Sequence, residues 1–179
     1  SSIPALRPYA VKIKNALSKK STELRFNRSI FFNKSPQKNW SVLWHQDLTI
    51  CLKEKIETKA YGPWSIKDAI HHVKPPLHIL QSMITARLHI DDSTAENGTL
   101  KVIPNSHSSI WDRSEINKLV TNSEILCAEK GDLLLMKPLL LHSSKSSQNK
   151  SVPRRVLHLE FLSKLPENNL KLYHPQSFL

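Results

Sequence analysis

From residue 28 onward, hydrophobic residues come in short runs that are separated by polar residues and turn signals. Runs of this length that are rich in branched and aromatic residues are typical of β-strands. Helical periodicity does not alternate with these runs in a sustained way, so the pattern argues against a parallel α/β fold. We expect a β-sandwich, jelly roll or barrel. The predicted strands are RSIFFN, SVLWHQDLTICL, SMITARLHI, GTLKVIP, EILCA, DLLLMKPLLL and RRVLHLEFL.

Three segments have the pattern of helices rather than strands. Residues 9–20 predict an N-terminal helix, and SIKDAIHH and RSEINKLV predict short helical insertions. The dipeptide Asn97-Gly98 is a strong hairpin signal, and it predicts that SMITARLHI and GTLKVIP pair with each other. The chain is therefore predicted to be mainly β with flanking helices.

At 179 residues the chain is long enough to bury one hydrophobic core. We expect one β domain at 28–165, preceded by a basic helical segment at 1–27 and followed by a tail at 166–179. No apolar run approaches the roughly 18 residues of a membrane span, and the N-terminus has no apolar signal core. Cys51 and Cys127 are too few for a disulfide framework. These features predict a cytoplasmic protein without a membrane span.

Positive charge is concentrated at the N-terminal end of the chain. Of the net charge of +11, residues 1–40 contribute +8, from nine Lys and Arg against one acid. Such a segment could bind the phosphates of a nucleic acid or of a coenzyme A thioester. No aromatic or Arg-rich recognition pattern accompanies the charge, so we interpret it as a solvated helix face and expect no nucleic-acid partner.

His45 and Asp47 interrupt the hydrophobic run SVLWHQDLTICL. In a strand, residues i and i+2 point to the same side, so these two side chains present a nitrogen and an oxygen in one direction. Burial of such groups is unfavourable unless a partner compensates them. The pair predicts a metal site only if a third ligand comes from elsewhere in the chain.

Among the nine histidines, His142 has the most suitable position for that third ligand. It follows the hydrophobic run DLLLMKPLLL at the point where a polar loop begins, and Arg154 and Arg155 open the last strand. Two histidines and one carboxylate on a β-scaffold form the facial triad of non-haem Fe(II) oxygenases, although a zinc hydrolase can use the same ligand types. An arginine favours an oxygenase that uses 2-oxoglutarate, because guanidinium binds a distal carboxylate bidentately.

Four motifs, in their order along the chain, resemble the phytanoyl-CoA dioxygenase family over residues 28–163: WHQDL, DDSTAENGTLKVIPNSH, GDLLLMKPLLLHSS and RRVLHLEF. The resemblance implies a double-stranded β-helix, the jelly roll shared with cupins, and a dioxygenase that depends on Fe(II) and 2-oxoglutarate and consumes O2. It implies that the iron ligands and catalytic residues are His45, Asp47 and His142. It also implies that Arg154 holds the distal carboxylate of 2-oxoglutarate and that Ser144 lies near this carboxylate.

The choice between Arg154 and Arg155 depends on which face of the strand points inward. The two residues face opposite sides, and hydrophobic periodicity alone leaves both open. The family resemblance favours Arg154. Arg87 in SMITARLHI falls where the family has a cosubstrate or substrate contact, but with a different residue type, so it is a further candidate cosubstrate ligand.

The expected reaction is hydroxylation of a small organic substrate, coupled to decarboxylation of 2-oxoglutarate to succinate and CO2. Two alternatives stay open. The chain could be a β-helix module that binds metal without turnover, or an oxygenase that acts on nucleic acid through its basic N-terminal segment. The second alternative needs exposed aromatic side chains for base stacking. The candidates in residues 1–40 are Tyr9, Phe26, Phe31, Phe32 and Trp40.

Overall fold

The computed structural model describes residues 7–18, 24–35, 37–148 and 152–173. Its helices are α1 (Arg7–Ser18), α2 (Leu77–Ser82) and α3 (Arg113–Leu119), with short 3-10 helices at Ser106–Ser108 and Val120–Asn122. Its strands are β1 (Arg25–Lys34), β2 (Val42–His45), β3 (Ile50–Leu52), β4 (Trp64–Lys67), β5 (Ile70–Val73), β6 (Met83–His89), β7 (Leu100–Val102), β8 (Glu124–Leu126), β9 (Leu133–Met136), β10 (His142–Ser144) and β11 (Arg154–Leu162). The prediction of a mainly β chain with flanking helices is confirmed. Residues 19 and 20 of the predicted first helix, and parts of the predicted segments 1–27 and 166–179, lie outside the described residues.

The strands form three sheets, which we name A, B and C. The strand order is β1-β11-β6-β9 in sheet A, β2-β10-β7-β8 in sheet B and β3-β5-β4 in sheet C. In sheet B, β10 pairs antiparallel with both of its neighbours, so His142 lies opposite His45 on one side and Val102 on the other. This register brings together two histidines that are far apart in the sequence.

Contacts divide the chain into two compact units. Unit 1 contains Ser1–Ser29, Leu48–Thr85 and Leu159–Leu179, and unit 2 contains Ile30–Asp47 and Ala86–His158. Sheet C belongs entirely to unit 1, and sheet B belongs entirely to unit 2. The domain boundaries predicted from the sequence stay a prediction.

Each unit buries hydrophobic side chains of its own. In unit 1 they include Phe26, Ile50, Leu52, Val73, Leu80, Met83, Phe161 and Leu162. In unit 2 they include Ala86, Val102, Ile103, Met136, Leu139, Leu141, Val156 and Leu157. Removal of this apolar surface from water is the main favourable contribution to folding. The strands of unit 2 therefore form a packed scaffold that can hold polar side chains in fixed positions.

The segment SIKDAIHH forms a β-hairpin, so the predicted helical insertion is wrong. β4 and β5 pair antiparallel with Lys67 opposite Ile70, which leaves Asp68 and Ala69 as a two-residue turn. Both turn residues have positive φ angles, 49° and 61°, as a hairpin turn of this length favours. The other predicted insertion, RSEINKLV, does form helix α3.

The predicted hairpin across Asn97-Gly98 is also wrong, because β6 and β7 belong to different sheets. A turn is present, and Gly98 has a φ angle of +75°. A Cβ atom at Gly98 would overlap the backbone oxygen of Lys145, so both conformation and space require glycine here. The dipeptide indicates the turn correctly, whereas the partner of each strand depends on residues distant in the sequence.

Two predicted strands are interrupted in the structure. SVLWHQDLTICL forms β2 and β3, and the connection between them contains Gln46 and Asp47. DLLLMKPLLL forms β9 as far as Met136, and Pro138 follows in the connection to β10. His142 therefore begins a strand instead of following one. None of the helices within the described ranges is long and apolar enough to cross a membrane.

Candidate functional site

His45, Asp47 and His142 lie close together in unit 2. His45 ends β2, Asp47 follows it in the connection, and His142 begins the neighbouring strand β10. The Nε2 atom of His45 lies 3.8 Å from Oδ1 of Asp47, and Nε2 of His142 lies 3.7 Å from Oδ2. One potential ligand atom from each residue lies within 4.8 Å of the other two. The structure thus brings the three predicted metal-binding residues within reach of a single ion.

Backbone hydrogen bonds orient both imidazole rings. Nδ1 of His45 lies 2.8 Å from the carbonyl oxygen of Leu43, and Nδ1 of His142 lies 2.7 Å from that of Leu140. Because a carbonyl oxygen only accepts, Nδ1 carries the proton in each ring, and Nε2 of the neutral ring keeps a lone pair. Metal-binding histidines are commonly held in this way. The two Nε2 atoms that face Asp47 are therefore the candidate ligand atoms.

The His142 ring is neutral at neutral pH. Burial lowers the pKa of His142 to about 4; the carboxylate of Asp47 opposes this shift, and the nearby His45 adds to it. The centroids of the two imidazole rings are 4.1 Å apart. Metal ions bind neutral imidazole, and two imidazoles with one carboxylate suit a divalent first-row metal ion. The donor set therefore fits the predicted Fe(II).

Gln46, between the first two candidate ligands, connects their segment to other parts of unit 2. Its Nε2 donates to the carbonyl oxygens of Ser109, at 2.8 Å, and Leu139, and its Oε1 accepts from the N–H of Trp111 at 3.0 Å. Leu139 lies three residues before His142. Gln46 thereby fixes the segment of two candidate ligands against the segment that carries the third.

The three residues border a cavity whose lining lies entirely within unit 2. Its empty volume, including the open mouth, is about 490 Å³. Strands of sheets A and B both contribute to its wall. The lining residues are Ile30, Phe32, Lys34, Trp40, Val42, His45, Asp47, Arg87, Leu100, His142, Ser143, Ser144, Arg154 and His158. All six residues that the sequence predicted for the site therefore face one cavity.

Arg154 is buried in the cavity wall, whereas Arg155 is exposed. Nη2 of Arg154 lies 3.5 Å from the hydroxyl of Ser144, while its Nε and Nη1 have no hydrogen-bond partner among the described residues. Burial lowers the pKa of Arg154 to about 10, so this guanidinium still carries its charge at neutral pH. Arg155 forms a bidentate pair with Asp91, at 2.7 and 2.8 Å. Arg154 is the arginine that faces the cavity.

Lys34 lies beside Arg154 and is a cavity residue that was not predicted from the sequence. Its Nζ donates to the Ser144 hydroxyl at 2.6 Å and to the backbone oxygens of Gly98 and Lys145. Burial lowers the pKa of Lys34 to about 8, and repulsion by the arginines of the cavity adds to this shift. Two cations therefore share one serine hydroxyl.

A signal for Lys34 is present in the segment RSIFFNK. Ile30, Phe32 and Lys34 occupy alternate positions, so they share one face of the strand. All three line the cavity. Arg28 occupies the same face, so the alternation places Lys34 beside two apolar residues but does not by itself show that it is buried.

Arg87 is a second buried guanidinium in the cavity, 4% exposed. Its Nη1 donates to Nδ1 of His158 at 2.8 Å, and the guanidinium carbon lies 5.2 Å from the ring centroid of Phe32. Its Nε has no partner within the part of the chain that the structure describes. Burial lowers the pKa of Arg87 to about 10; Arg154 adds to this shift and Asp47 opposes it. Arg87 thus carries a fixed positive charge into the cavity.

Positive charge exceeds negative charge in the cavity. Among the described lining residues, Lys34, Arg87 and Arg154 are cations, and Asp47 is the one carboxylate. Buried charges usually have partners of opposite sign. The excess of positive charge favours an organic anion with more than one carboxylate.

A model of the family described as phytanoyl-CoA dioxygenase (PhyH) matches residues 6–156 of the chain. A comparison with curated proteins gave no match.

Several solved structures are similar to this chain at low sequence identity. SnoN from nogalamycin biosynthesis, described as a non-heme alpha ketoglutarate dependent epimerase, is 16% identical with a TM-score of 0.60, and the match covers 88% of this chain and 55% of SnoN. EctD from S. alaskensis with bound Fe is 17% identical with a TM-score of 0.60, covering 88% of this chain and 55% of EctD. EctD with 2-oxoglutarate and 5-hydroxyectoine is 18% identical with a TM-score of 0.55, covering 79% of this chain and 45% of EctD.

The chain spans about half the length of these solved proteins. The likeness confirms the predicted fold, a double-stranded β-helix of the jelly-roll, cupin-like type.

Proposed function

Because this chain belongs to the phytanoyl-CoA dioxygenase family, we propose that it is an oxygenase that depends on Fe(II) and 2-oxoglutarate. One observation carries the proposal: the His45–Asp47–His142 triad shares a cavity with buried cations that have unused hydrogen-bond donors. A metal site that served folding alone would have no need for uncompensated guanidinium groups beside it.

In this proposal His45 and His142 bind iron through Nε2, and Asp47 binds it through a carboxylate oxygen. The hydrogen bonds from the two Nδ1 atoms to backbone carbonyls keep the rings oriented for the metal. EctD, which has a similar fold, was solved with bound Fe and with 2-oxoglutarate. When bound, Fe(II) and 2-oxoglutarate supply the activation of O2, coupled to decarboxylation of the 2-oxo acid to succinate and CO2.

Arg154 binds the distal carboxylate of 2-oxoglutarate, with Ser144 and Lys34 beside it. The Ser144 hydroxyl accepts from both cations and donates to the backbone oxygen of Gly98 at 2.8 Å. This arrangement holds the two positive charges in place without neutralising either of them. A carboxylate here would supply the acceptor that Nε and Nη1 of Arg154 lack. Arg87, the third predicted cosubstrate residue, lies in the same cavity.

The proposed reaction is hydroxylation of a small organic substrate. One atom of O2 enters the substrate as a C–H bond becomes C–OH, the other atom enters succinate, and CO2 leaves. The contribution of the chain itself is to hold both organic molecules beside the metal and to exclude water from the cavity. Apolar side chains for this purpose are present in the wall, among them Phe32, Val42 and Leu100.

An oxygenase that acts on nucleic acid has less support. Phe26 is 1% exposed, and Phe32 lies against the guanidinium of Arg87. Of the five aromatic candidates, Tyr9 and Trp40 are exposed. A salt titration of DNA and RNA binding distinguishes the two functions, since a steep loss of affinity with rising salt is typical of phosphate contacts. We expect no such binding.

Titration of Fe(II) and then 2-oxoglutarate into the protein without O2 tests the proposal. The wild-type protein should bind both, whereas Asp47→Ala should stay folded and lose Fe(II) binding. Asp91→Ala is the control, because Asp91 pairs with Arg155 outside the cavity, and it should bind Fe(II) like wild type. Fe(II) binding that is unchanged in Asp47→Ala would remove the assignment.

Substrate-dependent succinate formation, measured across a panel of small metabolites, then tests turnover. A protein that binds both Fe(II) and 2-oxoglutarate but never forms succinate would be the metal-binding module without turnover.

A further inference from the structure

Arg87 has no anion assigned to it once 2-oxoglutarate is placed in the cavity. The distal carboxylate of 2-oxoglutarate is assigned to Arg154, and the metal held by the triad would take its 2-oxo acid end. Arg87 is therefore an anion-binding group in addition to Arg154 and the metal. 2-Oxoglutarate has only two carboxylates, so it has none left for Arg87.

Arg87 lines the same cavity as the candidate metal ligands Asp47 and His142. Its charge acts on both of them and also on Arg154. A substrate must also lie beside these ligands, because the chemistry takes place there. An anionic group held by Arg87 would thus place the rest of its molecule beside the metal ligands.

The guanidinium of Arg87 is held rigidly without being neutralised. His158 accepts one of its hydrogen bonds through Nδ1, and the ring of Phe32 lies against it. Neither group carries a negative charge in this arrangement. Burial of such a cation is unfavourable, so a ligand that supplies the opposite charge would be bound strongly.

The wall near Arg87 is apolar as well as cationic. Ile30, Phe32, Val42 and Leu100 line the same cavity. A hydrophobic body on the ligand would bury apolar surface against these side chains.

We propose that Arg87 binds a carboxylate of the primary substrate, and that the substrates are small organic acids with a hydrophobic part. This inference rests on the proposed function, in which Arg154 binds the distal carboxylate of 2-oxoglutarate. Arg87 then determines substrate specificity, while Arg154 serves the cosubstrate.

The test measures binding by calorimetry to protein loaded with Fe(II) and 2-oxoglutarate without O2. The probes are hexanoate, benzoate and 3-phenylpropionate, each compared with its primary amide, which keeps the shape but loses the charge. We expect at least one acid to bind the wild-type protein about tenfold more tightly than its amide. In Arg87→Gln that acid should lose about tenfold in affinity, while the affinity for 2-oxoglutarate changes by less than about threefold.

Two further variants serve as a control for charge at the surface and as a charge-conserving change at Arg87. Arg155→Gln removes an exposed arginine that pairs with Asp91, and it should bind the acid and 2-oxoglutarate like wild type. Arg87→Lys keeps the positive charge and should retain part of the affinity for the acid. It also serves as the test variant if Arg87→Gln does not fold.

Three results would overturn the inference. The first is that Arg87→Gln weakens 2-oxoglutarate binding as strongly as Arg154→Gln does, since Arg87 would then be a cosubstrate ligand. The second is that the amides bind as tightly as the acids, and the third is that no acid binds. A wild-type protein that does not bind 2-oxoglutarate at all would overturn the proposed function, and this inference with it.

Discussion

Two buried polar clusters in this protein differ in how their charges are balanced. In unit 1, the carboxylate of Glu160 pairs with Arg28 at 2.8 Å and accepts a hydrogen bond from Asn27 at 2.7 Å. The side-chain oxygen of Asn27 accepts from the N–H of Cys51 at 2.9 Å. These four residues, the Glu160 cluster, contain one positive and one negative charge. The cavity of unit 2 instead has three cations and one carboxylate among its described lining residues.

We interpret the difference as that between a structural network and the proposed binding site. The Glu160 cluster connects strands β1, β3 and β11 through two hydrogen bonds and one ion pair between its members. A buried charge without a partner lowers stability, so we expect a bound anion to compensate the excess positive charge of the cavity. The balance of charge, more than the degree of burial, therefore indicates which cluster binds a ligand.

Substitution of Arg154 should have the largest effect and tests the cavity side of the comparison. In Arg154→Met the distal carboxylate of 2-oxoglutarate loses its partner, which costs about 2–5 kcal/mol of binding free energy, or about 1.5 to 3.5 decades in Kd. Without ligand, the free energy of unfolding should stay the same or increase, because an uncompensated buried charge is gone. Calorimetric titration and urea unfolding measure the two quantities.

Arg155→Met is the matched control for this experiment, since Arg155 is exposed and pairs with Asp91. It should leave the affinity for 2-oxoglutarate unchanged. A large loss in Arg155→Met with none in Arg154→Met would show that the two arginines have the opposite roles.

Glu160→Gln tests the balanced side of the comparison and should act on stability. Loss of one charge from a buried pair should lower the free energy of unfolding by about 3 kcal/mol, the low end for such pairs, because Arg28 keeps 17% side-chain exposure. Glu57→Gln is the control, since Glu57 pairs with Lys55 on the surface and should change stability by less than about 1 kcal/mol. Urea unfolding curves that coincide for wild type and Glu160→Gln would contradict the structural role.

Gln46→Leu tests the role of hydrogen bonds in unit 2 separately from the role of charge, because it removes hydrogen bonds but no charge. Its three hydrogen bonds fix the candidate metal ligands relative to one another, so Fe(II) affinity should fall by about tenfold or more. The affinity for 2-oxoglutarate measured without metal should not change. Gln37→Leu, at an exposed turn position, is the control. Equal Fe(II) affinities in both variants would show that Gln46 does not position the ligands.

The smallest expected effect is a pH dependence that originates in Lys34, whose pKa is lowered from 10.5 to about 8. Below pH 8 its ammonium attracts the dianion, and above pH 8 the charge is lost. Affinity for 2-oxoglutarate should therefore fall as pH rises, by at most about tenfold per pH unit for one proton. Without ligand the sign is opposite, because burial penalises the charged form, so stability should rise between about pH 8 and 10.5.

Calorimetry on both sides of pH 8 measures this dependence. Lys34→Met should remove it, and Lys38→Met, at an exposed position, should retain it. A fall in affinity that persists unchanged in Lys34→Met would assign the titration to another group.

Three of the six predicted site residues could be selected because they interrupt or follow hydrophobic runs: His45 and Asp47 lie within one such run, and His142 follows another. The selection of Arg154, Ser144 and Arg87 depends on the family resemblance. Lys34 could not be distinguished in this way, because a lysine in a basic segment is usually solvated. Its burial depends on Ser144, which lies on a strand far along the chain.

The fold, too, depends in part on contacts between residues that are distant in the sequence. The existence of most strands follows from short hydrophobic runs, but their pairing does not. Asn97-Gly98 indicates a turn correctly, yet the strands on either side join different sheets. In SIKDAIHH, a helical pattern is overridden because Asp68 and Ala69 adopt positive φ angles in a hairpin turn.

The excess positive charge of the cavity also affects how fast anions bind. A cleft with one sign of charge and low-dielectric walls concentrates ions of the opposite sign and raises association rate constants by about 10- to 1,000-fold. Salt screens this attraction over about 8 Å at physiological ionic strength. Capture of 2-oxoglutarate should therefore slow as salt increases, whereas its release, which depends on buried contacts, should change little. Competing organic anions would then associate at similar rates, and the protein would select among them through their different dissociation rates.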